Sequence, residues 1–287
     1  MGLWLAGARP RTLGAAVSPV IVGTSCAYAV AGDISWLRAA LALVVALGLQ
    51  VGVNYANDYS DGVRGTDRER RGPVRLTASG LKTPQEVRAA AGIAIAVGAV
   101  AGLALAIIVT PWLLAVGAAA IAAAVLYSGG PRPYGYAGLG EVMVLVFFGF
   151  VATAGSAYVQ LERVPGIAWW GSLVVGLLAC AILLANNVRD VVTDRATGKR
   201  TLAVRVGDVT ARRLGVLCIL GSFAAVVPIA VDHAEALLAY AAVPLAIEPA
   251  RLVLTAHEPL KLVRALVTTA RVQIVVAVLL GIGLWLS

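Results

Sequence analysis

Residues 36–61 read WLRAALALVVALGLQVGVNYANDYSD, a long apolar run that ends in two acidic residues. About 20 predominantly apolar residues are enough to cross a bilayer as a helix, and a helix satisfies its own backbone hydrogen bonds in lipid. The 287-residue chain is 60% hydrophobic and only 13% charged, which is more apolar than soluble domains are. The sequence therefore predicts an all-α, polytopic membrane protein.

Further apolar segments along the chain resemble this one. Together we predict nine spans, at about 13–31, 36–56, 89–109, 112–128, 138–159, 168–187, 213–231, 235–250 and 268–286. Pro244, Glu248 and Pro249 interrupt the eighth, which is the weakest of the nine. We expect residues 1–287 to form a single transmembrane domain.

The basic residues supply an independent test of this count. If the N-terminus is cytoplasmic and the spans alternate, only Arg38 and Arg163 of the 23 Lys and Arg residues fall on the outer side. Such a bias is typical of cytoplasmic loops, so the pattern predicts a multi-pass protein of the cell (plasma) membrane. Orientation also explains the net charge of +8, and no nucleic-acid partner is expected. Cytoplasmic loops at about 57–88, 129–137 and 188–212 would cap the bundle.

An Asn-x-x-x-Asp motif occurs twice, at Asn57–Asp61 and, 129 residues later, at Asn186–Asp190. Each copy follows an apolar segment and is succeeded by further acid, Asp67 in the first case and Asp194 in the second. Residues four apart share a helix face. Carboxylates beside lipid are energetically costly, so their presence indicates a function. The two motifs therefore predict one site built from two halves of the bundle.

The residue types in this pattern indicate metal and phosphate chemistry. Carboxylate and amide oxygens are the ligands that Mg²⁺ prefers, and Mg²⁺ in proteins commonly also binds substrate phosphates. Arg75 follows the first motif, and Lys199 and Arg205 follow the second. Because Arg and Lys are the usual partners of phosphate, we predict that two Mg²⁺ ions bridge the motifs to one diphosphate.

Ionisation of an allylic diphosphate fits this arrangement. The isoprenoid tail would lie in the apolar bundle interior, which would also keep a carbocation from water. Tyr127, Tyr134 and Tyr136, in and beside the loop 129–137, are interpreted either as a membrane-interface belt or as an aromatic wall that favours a cation. A transporter is the alternative from another class, but its acidic residues are expected near the middle of the membrane.

Four further stretches complete a resemblance to a known family: Arg9–Leu13, Arg75–Gly80, Gly129–Gly135 and Gly198–Arg205. With the two acidic motifs, they resemble the UbiA superfamily of intramembrane aromatic prenyltransferases. The first motif departs from the Asn-x-x-x-Asp-x-x-x-Asp form of the 4-hydroxybenzoate branch. Here Gly65 occupies the last acidic position and Asp67 follows, as in the 1,4-dihydroxy-2-naphthoate branch of menaquinone biosynthesis.

The resemblance implies a nine-helix bundle with a central cavity open near the cytoplasmic face. It assigns the Mg²⁺ ligands as Asn57, Asp61, Asp67, Asp190 and Asp194. It places the substrate-binding residues at Asn57, Arg75, Tyr127, Arg132 and Lys199, with Arg132 the weaker candidate. Its catalytic set is Asp61, Asp190, Asp194, Lys199 and Tyr134, with Tyr127 and Tyr134 bordering the allylic carbon.

The reaction implied by the resemblance joins a polyprenyl chain from polyprenyl diphosphate to 1,4-dihydroxy-2-naphthoate. Carbon dioxide and diphosphate leave, and demethylmenaquinone forms. 4-Hydroxybenzoate, homogentisate and a lipid-like acceptor are the alternatives.

Overall fold

The computed structural model describes residues 2–65 and 75–287, and all regular structure within them is helical. The main helices in chain order are α1 Gly14–Ala31, α2 Trp36–Arg64, α3 Pro84–Ile108, α4 Leu113–Leu126, α5 Gly140–Leu161, α6 Gly166–Arg189, α7 Asp208–Ala230, α8 Ala234–Thr255 and α9 Pro259–Leu286. Shorter helices cover Leu3–Ala8, Val191–Ala196 and Leu202–Val206.

Eight of the main helices in the described part are long and apolar enough to cross a membrane. The exception is α4, whose 14 residues extend about 21 Å at 1.5 Å per residue, short of a hydrocarbon core of about 30 Å. The multi-pass character is therefore confirmed, whereas the count of nine spans stays a prediction.

Helix ends differ from the predicted spans mainly on the side that carries the acidic motifs. Helix α2 continues two turns beyond residue 56 and ends at Arg64; Gly65 caps it with a φ of 72°, which suits a residue without a Cβ. Helix α3 begins at a capping box in which Thr83 and Glu86 satisfy each other's backbone N–H. The predicted loop 57–88 thus starts and ends in helix.

The predicted loop 188–212 is also partly helical. It contains Val191–Ala196, Leu202–Val206 and the first residues of α7. In the loop 129–137, a single 3₁₀ turn spans Tyr134–Ala137. These short elements hold the polar loops over the ends of α2 and α6.

The largest hydrophobic core joins α1 to α6, α7, α8 and α9. Small residues let these helices approach closely, as is common where lipid gives no hydrophobic driving force. On the other side, α2 and α3 pack along their length, and Gly48 lies against Gly98. The space between the two sides is left as a cavity.

We expect Gly23→Ala to destabilise the bundle. A Cβ at Gly23 in α1 would lie 2.1 Å from the Thr153 carbonyl oxygen of α5, so the helices would have to separate. Overpacking of this kind costs about 1–3 kcal/mol. The measurement is the thermal unfolding midpoint of purified protein. Gly155→Ala on α5 is the matched control, because a Cβ there meets no atom within 4 Å; equal midpoints for the two variants would contradict the packing.

Candidate active site

A cavity of about 380 Å³ is lined mainly by residues of helices α1 to α6. Its inner wall is apolar and includes Val45, Leu49, Val116, Phe147 and Phe148. Its other end is polar, and the residues that line it there are Asn57, Asp61, Arg75, Tyr136, Asn186, Asn187, Asp190, Thr193, Asp194 and Lys199. Both acidic motifs therefore open on the same end of one cavity, because α2 and α6 each end there.

Asp61 is the centre of the polar end. The Tyr136 hydroxyl donates to Asp61 Oδ1 at 2.5 Å, and Lys199 Nζ donates to the same oxygen at 3.2 Å. Arg75 Nη2 lies 3.8 Å from Oδ2. The carboxylate is 5% exposed, so these charge-assisted contacts are made where water screens them little. Sequence positions 61, 75, 136 and 199 thus meet at one carboxylate.

Lys199 and Tyr136 form a coupled pair beside Asp61. Lys199 Nζ lies 4.5 Å above the Tyr136 ring. Burial opposes the charge of Lys199, but the Asp61 carboxylate and the neighbouring Tyr136 and Asp194 outweigh it and raise the lysine pKa. Burial and the charge of Asp61 raise the pKa of Tyr136. At neutral pH Lys199 is therefore a cation and Tyr136 a hydrogen-bond donor.

Backbone contacts fix the loop that carries Lys199. The Lys199 N–H donates to the Asp194 carbonyl at 2.8 Å, and the Arg200 N–H donates to the Tyr136 carbonyl at 2.9 Å. Gly198, with φ of 78°, makes the turn between Asp194 and Lys199. These bonds tie the second motif to the loop 129–137 and place the ammonium group over the cavity.

The second motif is held by a neighbouring arginine. Arg189 donates to both oxygens of Asp190, at 2.7 and 2.5 Å, and to Asn186 Oδ1 at 2.8 Å. Helix α6 ends at Arg189, but the Asp194 N–H still donates to the Asp190 carbonyl at 2.8 Å. The helical spacing of Asn186, Asp190 and Asp194 is therefore largely kept.

Asp58 lies between the two ligand candidates of the first motif and has a structural role. Its carboxylate accepts the backbone N–H groups of Leu76 and Thr77 at 2.8 and 2.9 Å. It is 1% exposed, and it fixes the turn that follows Arg75. Asp58 thus holds Arg75 beside Asp61 and does not itself line the cavity.

Two tyrosines form part of the wall near the polar end. Tyr127 and Tyr134 meet edge to face, with ring centroids 5.5 Å apart. The Tyr134 hydroxyl donates to the Ala123 carbonyl at 2.7 Å, and burial raises the Tyr134 pKa to about 12. Tyr134 is therefore neutral, and its ring presents a π face or edge to the cavity.

The structure brings most of the predicted site residues to this end of the cavity. Those that line it are Asn57, Asp61, Arg75, Tyr127, Tyr134, Asp190, Asp194 and Lys199. Arg132 is exposed and lies outside the cavity lining. Asp67, predicted as a metal ligand, lies outside the described residues.

Several contacts were not foreseen from the motifs. Ser128 donates to Asn57 Oδ1 at 2.6 Å, which orients the amide. Asn187 donates to the buried Glu141 at 2.8 Å, and this bond joins α6 to the start of α5. Glu141 belongs to no motif, so only its position inside an otherwise apolar segment could have marked it.

The donor set at the polar end fits Mg²⁺. It consists of carboxylate and amide oxygens with no Cys or His among them, which are hard ligands. Within residues 2–65 and 75–287, no three acidic, His or Cys side chains gather as a ready metal cage. Mg²⁺ commonly uses one or two carboxylates together with substrate phosphates, so a cage is not required.

Comparisons with known proteins agree with this geometry. A family model described as the UbiA prenyltransferase family matches residues 16–261. The chain is 53% identical over 220 residues to the 1,4-dihydroxy-2-naphthoate octaprenyltransferase of Mycobacterium tuberculosis, covering 76% of this chain and 75% of the relative. It is 37% identical over 294 residues to the enzyme of the same name from Escherichia coli K12, covering 99% and 95%.

Among solved structures, the chain is similar to a UbiA homolog from Archaeoglobus fulgidus bound to GPP and Mg²⁺. The TM-score is 0.66 at 15% sequence identity, with 97% of this chain and 99% of that chain covered. At this identity the similarity concerns the fold alone. It confirms the predicted all-α bundle.

Proposed function

The chain belongs to the UbiA prenyltransferase family, and from this premise we propose that it transfers a polyprenyl chain to 1,4-dihydroxy-2-naphthoate. Polyprenyl diphosphate is the donor, and the product is demethylmenaquinol, the reduced form of demethylmenaquinone. The observation that carries the proposal is that both acidic motifs open on the polar end of one otherwise apolar cavity. Relatives 53% and 37% identical carry the name of this activity, which supports the same acceptor.

The polar end suits the diphosphate. Lys199 and Arg75 lie within 4 Å of Asp61 and would hold phosphate oxygens there. Their charges stand where negative charge accumulates as the allylic carbon–oxygen bond breaks. Asn57, Asp61, Asp190 and Asp194, together with Asp67, would hold Mg²⁺, and we propose two ions at the diphosphate. Bound Mg²⁺ neutralises charge on the leaving diphosphate.

The apolar end suits the prenyl chain. Its wall is made by aliphatic and aromatic side chains of α2, α4 and α5, and it continues directly from the polar end. The allylic carbon would lie where the two ends meet, near Tyr127 and Tyr134. Their rings would favour positive charge on that carbon and exclude water from it.

The reaction balances without a dedicated base. A bond forms between the allylic carbon and the naphthoate ring, and the allylic carbon–oxygen bond breaks with its electron pair on diphosphate. The carboxyl carbon leaves as carbon dioxide, and the electron pair of its bond stays with the ring. The overall reaction therefore needs no net proton transfer. Among the described residues that line the cavity, the only carboxylates are those of the two acidic motifs.

The membrane arrangement follows from the same proposal. We infer a single domain over residues 1–287 in the cell membrane, with the N-terminus and the active-site loops in the cytoplasm. The bias of basic residues toward that side supports this orientation. The position of the acidic motifs at helix ends favours an enzyme over a transporter, whose site is expected near the midplane.

The test is a reconstitution. Purified protein in lipid nanodiscs is supplied with geranylgeranyl diphosphate, 1,4-dihydroxy-2-naphthoate and Mg²⁺ under reducing conditions. We expect a prenylated naphthoquinol by mass spectrometry, with carbon dioxide and diphosphate released in equal amounts. A product that retains the carboxyl group, or no product, would contradict the proposal.

A further inference from the structure

Arg9 places a cation on the cavity wall that the diphosphate site does not use. The residue lines the cavity with Thr12, Asn54 and Asn57. Its Nη2 atom is buried and has no hydrogen-bond partner among the described residues. Lys199 and Arg75, by contrast, already lie beside Asp61. A buried guanidinium nitrogen without a partner is costly unless a ligand from outside the protein completes it, and an anion suits its charge.

The backbone holds Arg9 in one place. Asn54 Nδ2 donates to the Ala8 carbonyl at 2.9 Å, and Thr12 Oγ1 donates to the Arg9 carbonyl at 3.0 Å. Arg9 itself has φ of 55°, one of only two positive values among the described residues other than glycine. A left-handed conformation is unfavourable for a residue with a Cβ and persists where the surroundings impose it. The backbone that carries the guanidinium group is therefore fixed against α2 and the turn that precedes α1.

The helix before Arg9 is anchored as well. The Tyr55 hydroxyl donates to the Trp4 carbonyl at 2.7 Å, and Lys82 Nζ lies 5.1 Å from the centre of the Trp4 ring. Gly7 packs so closely that a Cβ there would come within 2.8 Å of Leu76 and Tyr55 side-chain atoms. Residues Leu3–Ala8 thus form a fixed part of the cavity wall.

The position of Arg9 separates it from the phosphates. Asn54, which donates to the carbonyl of the preceding Ala8, precedes Asp61 by seven residues on α2, or about 10 Å along the helix axis. The backbone of Arg9 therefore lies toward the apolar side of the diphosphate site. The acceptor ring must also lie on that side, because the allylic carbon that it attacks is bonded directly to the diphosphate.

We propose that Arg9 binds the carboxylate of the acceptor and thereby selects naphthalene rings that carry one. The proposal rests on the function proposed above, which supplies a single carboxylate on the acceptor. A guanidinium group suits a carboxylate because its parallel N–H groups can bind both oxygens. The contact is made in the ground state and disappears when carbon dioxide leaves, so it contributes to acceptor affinity more than to the chemical step.

The test compares two rings that differ only in the carboxylate. Binding of 1-hydroxy-2-naphthoate and of 1-naphthol is measured by calorimetry on the full chain in nanodiscs, with empty nanodiscs subtracted. We expect Arg9→Gln to lower the affinity for 1-hydroxy-2-naphthoate by about 10- to 100-fold and to leave the affinity for 1-naphthol unchanged. Arg9→Lys, which keeps the charge but loses the fork, is expected to fall between. Arg11→Gln is the matched control, because Arg11 is exposed two residues away.

A second measurement separates the two possible anions. The affinity for geranylgeranyl diphosphate should be the same in wild type and Arg9→Gln; a selective loss of diphosphate affinity would overturn the proposal. An unchanged ratio of the two ring affinities in Arg9→Gln or Arg9→Lys would overturn it too. If Arg9→Gln fails to fold, the ratio in Arg9→Lys decides. Failure of the wild type to convert 1,4-dihydroxy-2-naphthoate would instead contradict the proposed function.

Discussion

Asp61→Asn is expected to lower turnover by about 10³-fold, at the upper end of what loss of one preorganised electrostatic group costs. Asp61 is the carboxylate that Lys199, Tyr136 and Arg75 surround, and the asparagine keeps its shape while removing its charge. Metal and phosphate would both lose their common partner. The measurement is diphosphate release from geranylgeranyl diphosphate and 1,4-dihydroxy-2-naphthoate at saturating Mg²⁺.

Folding must be separated from chemistry in this variant. Asp232→Asn serves as the control because Asp232 is exposed between α7 and α8, away from the cavity. Both variants should insert into the membrane and unfold at similar temperatures. Near-normal turnover in Asp61→Asn would show that Asp61 does not serve the metal and diphosphate.

Lys199→Gln is expected to lower kcat/KM for the polyprenyl diphosphate by about 10²-fold. The ammonium group is buried beside Asp61 and above the Tyr136 ring, so its charge acts with little screening. Lys199→Arg should restore part of the activity, since it keeps the charge but changes the geometry. Steady-state kinetics with varied diphosphate measure the effect.

The pH dependence follows from the sign of the shift. The Lys199 pKa is raised, so the group stays protonated throughout the neutral range and its contribution is lost only at strongly alkaline pH. Lys261→Gln is the matched control, because Lys261 pairs with Glu258 on the surface and does not line the cavity. Equal kinetics for the Lys199→Gln and Lys261→Gln variants would contradict a role for Lys199 in binding phosphate.

Much of the site could be predicted from the sequence because its key residues recur at helical spacing. Asn57 and Asp61 share a face of α2, and Asp190 and Asp194 follow α6 at helical spacing. Periodicity alone therefore predicted that the members of each motif lie close together. Composition likewise predicted an all-α membrane protein. These inferences need only the local geometry of a helix and the cost of charge near lipid.

The remaining features depend on tertiary contacts that spacing does not contain. Tyr136 reaches Asp61 from another loop, and Glu141 meets Asn187 across two helices. The motif around Arg132 predicted that this residue binds substrate, but in the structure its side chain is exposed, which the motif does not indicate. Helix α4 is also shorter than the predicted span 112–128, because Trp112, Tyr127 and Ser128 lie in turns at its ends.

A competition between acceptors tests the central claim most directly. Purified protein with Mg²⁺ and geranylgeranyl diphosphate is given equal concentrations of 1,4-dihydroxy-2-naphthoate, 4-hydroxybenzoate and homogentisate in one reaction, and products are resolved by mass spectrometry. We predict the decarboxylated, prenylated naphthoquinol as the dominant product, and its loss on chelation of Mg²⁺. Prenylated 4-hydroxybenzoate or homogentisate as the dominant product would contradict the assigned acceptor, although the chain would still belong to the family.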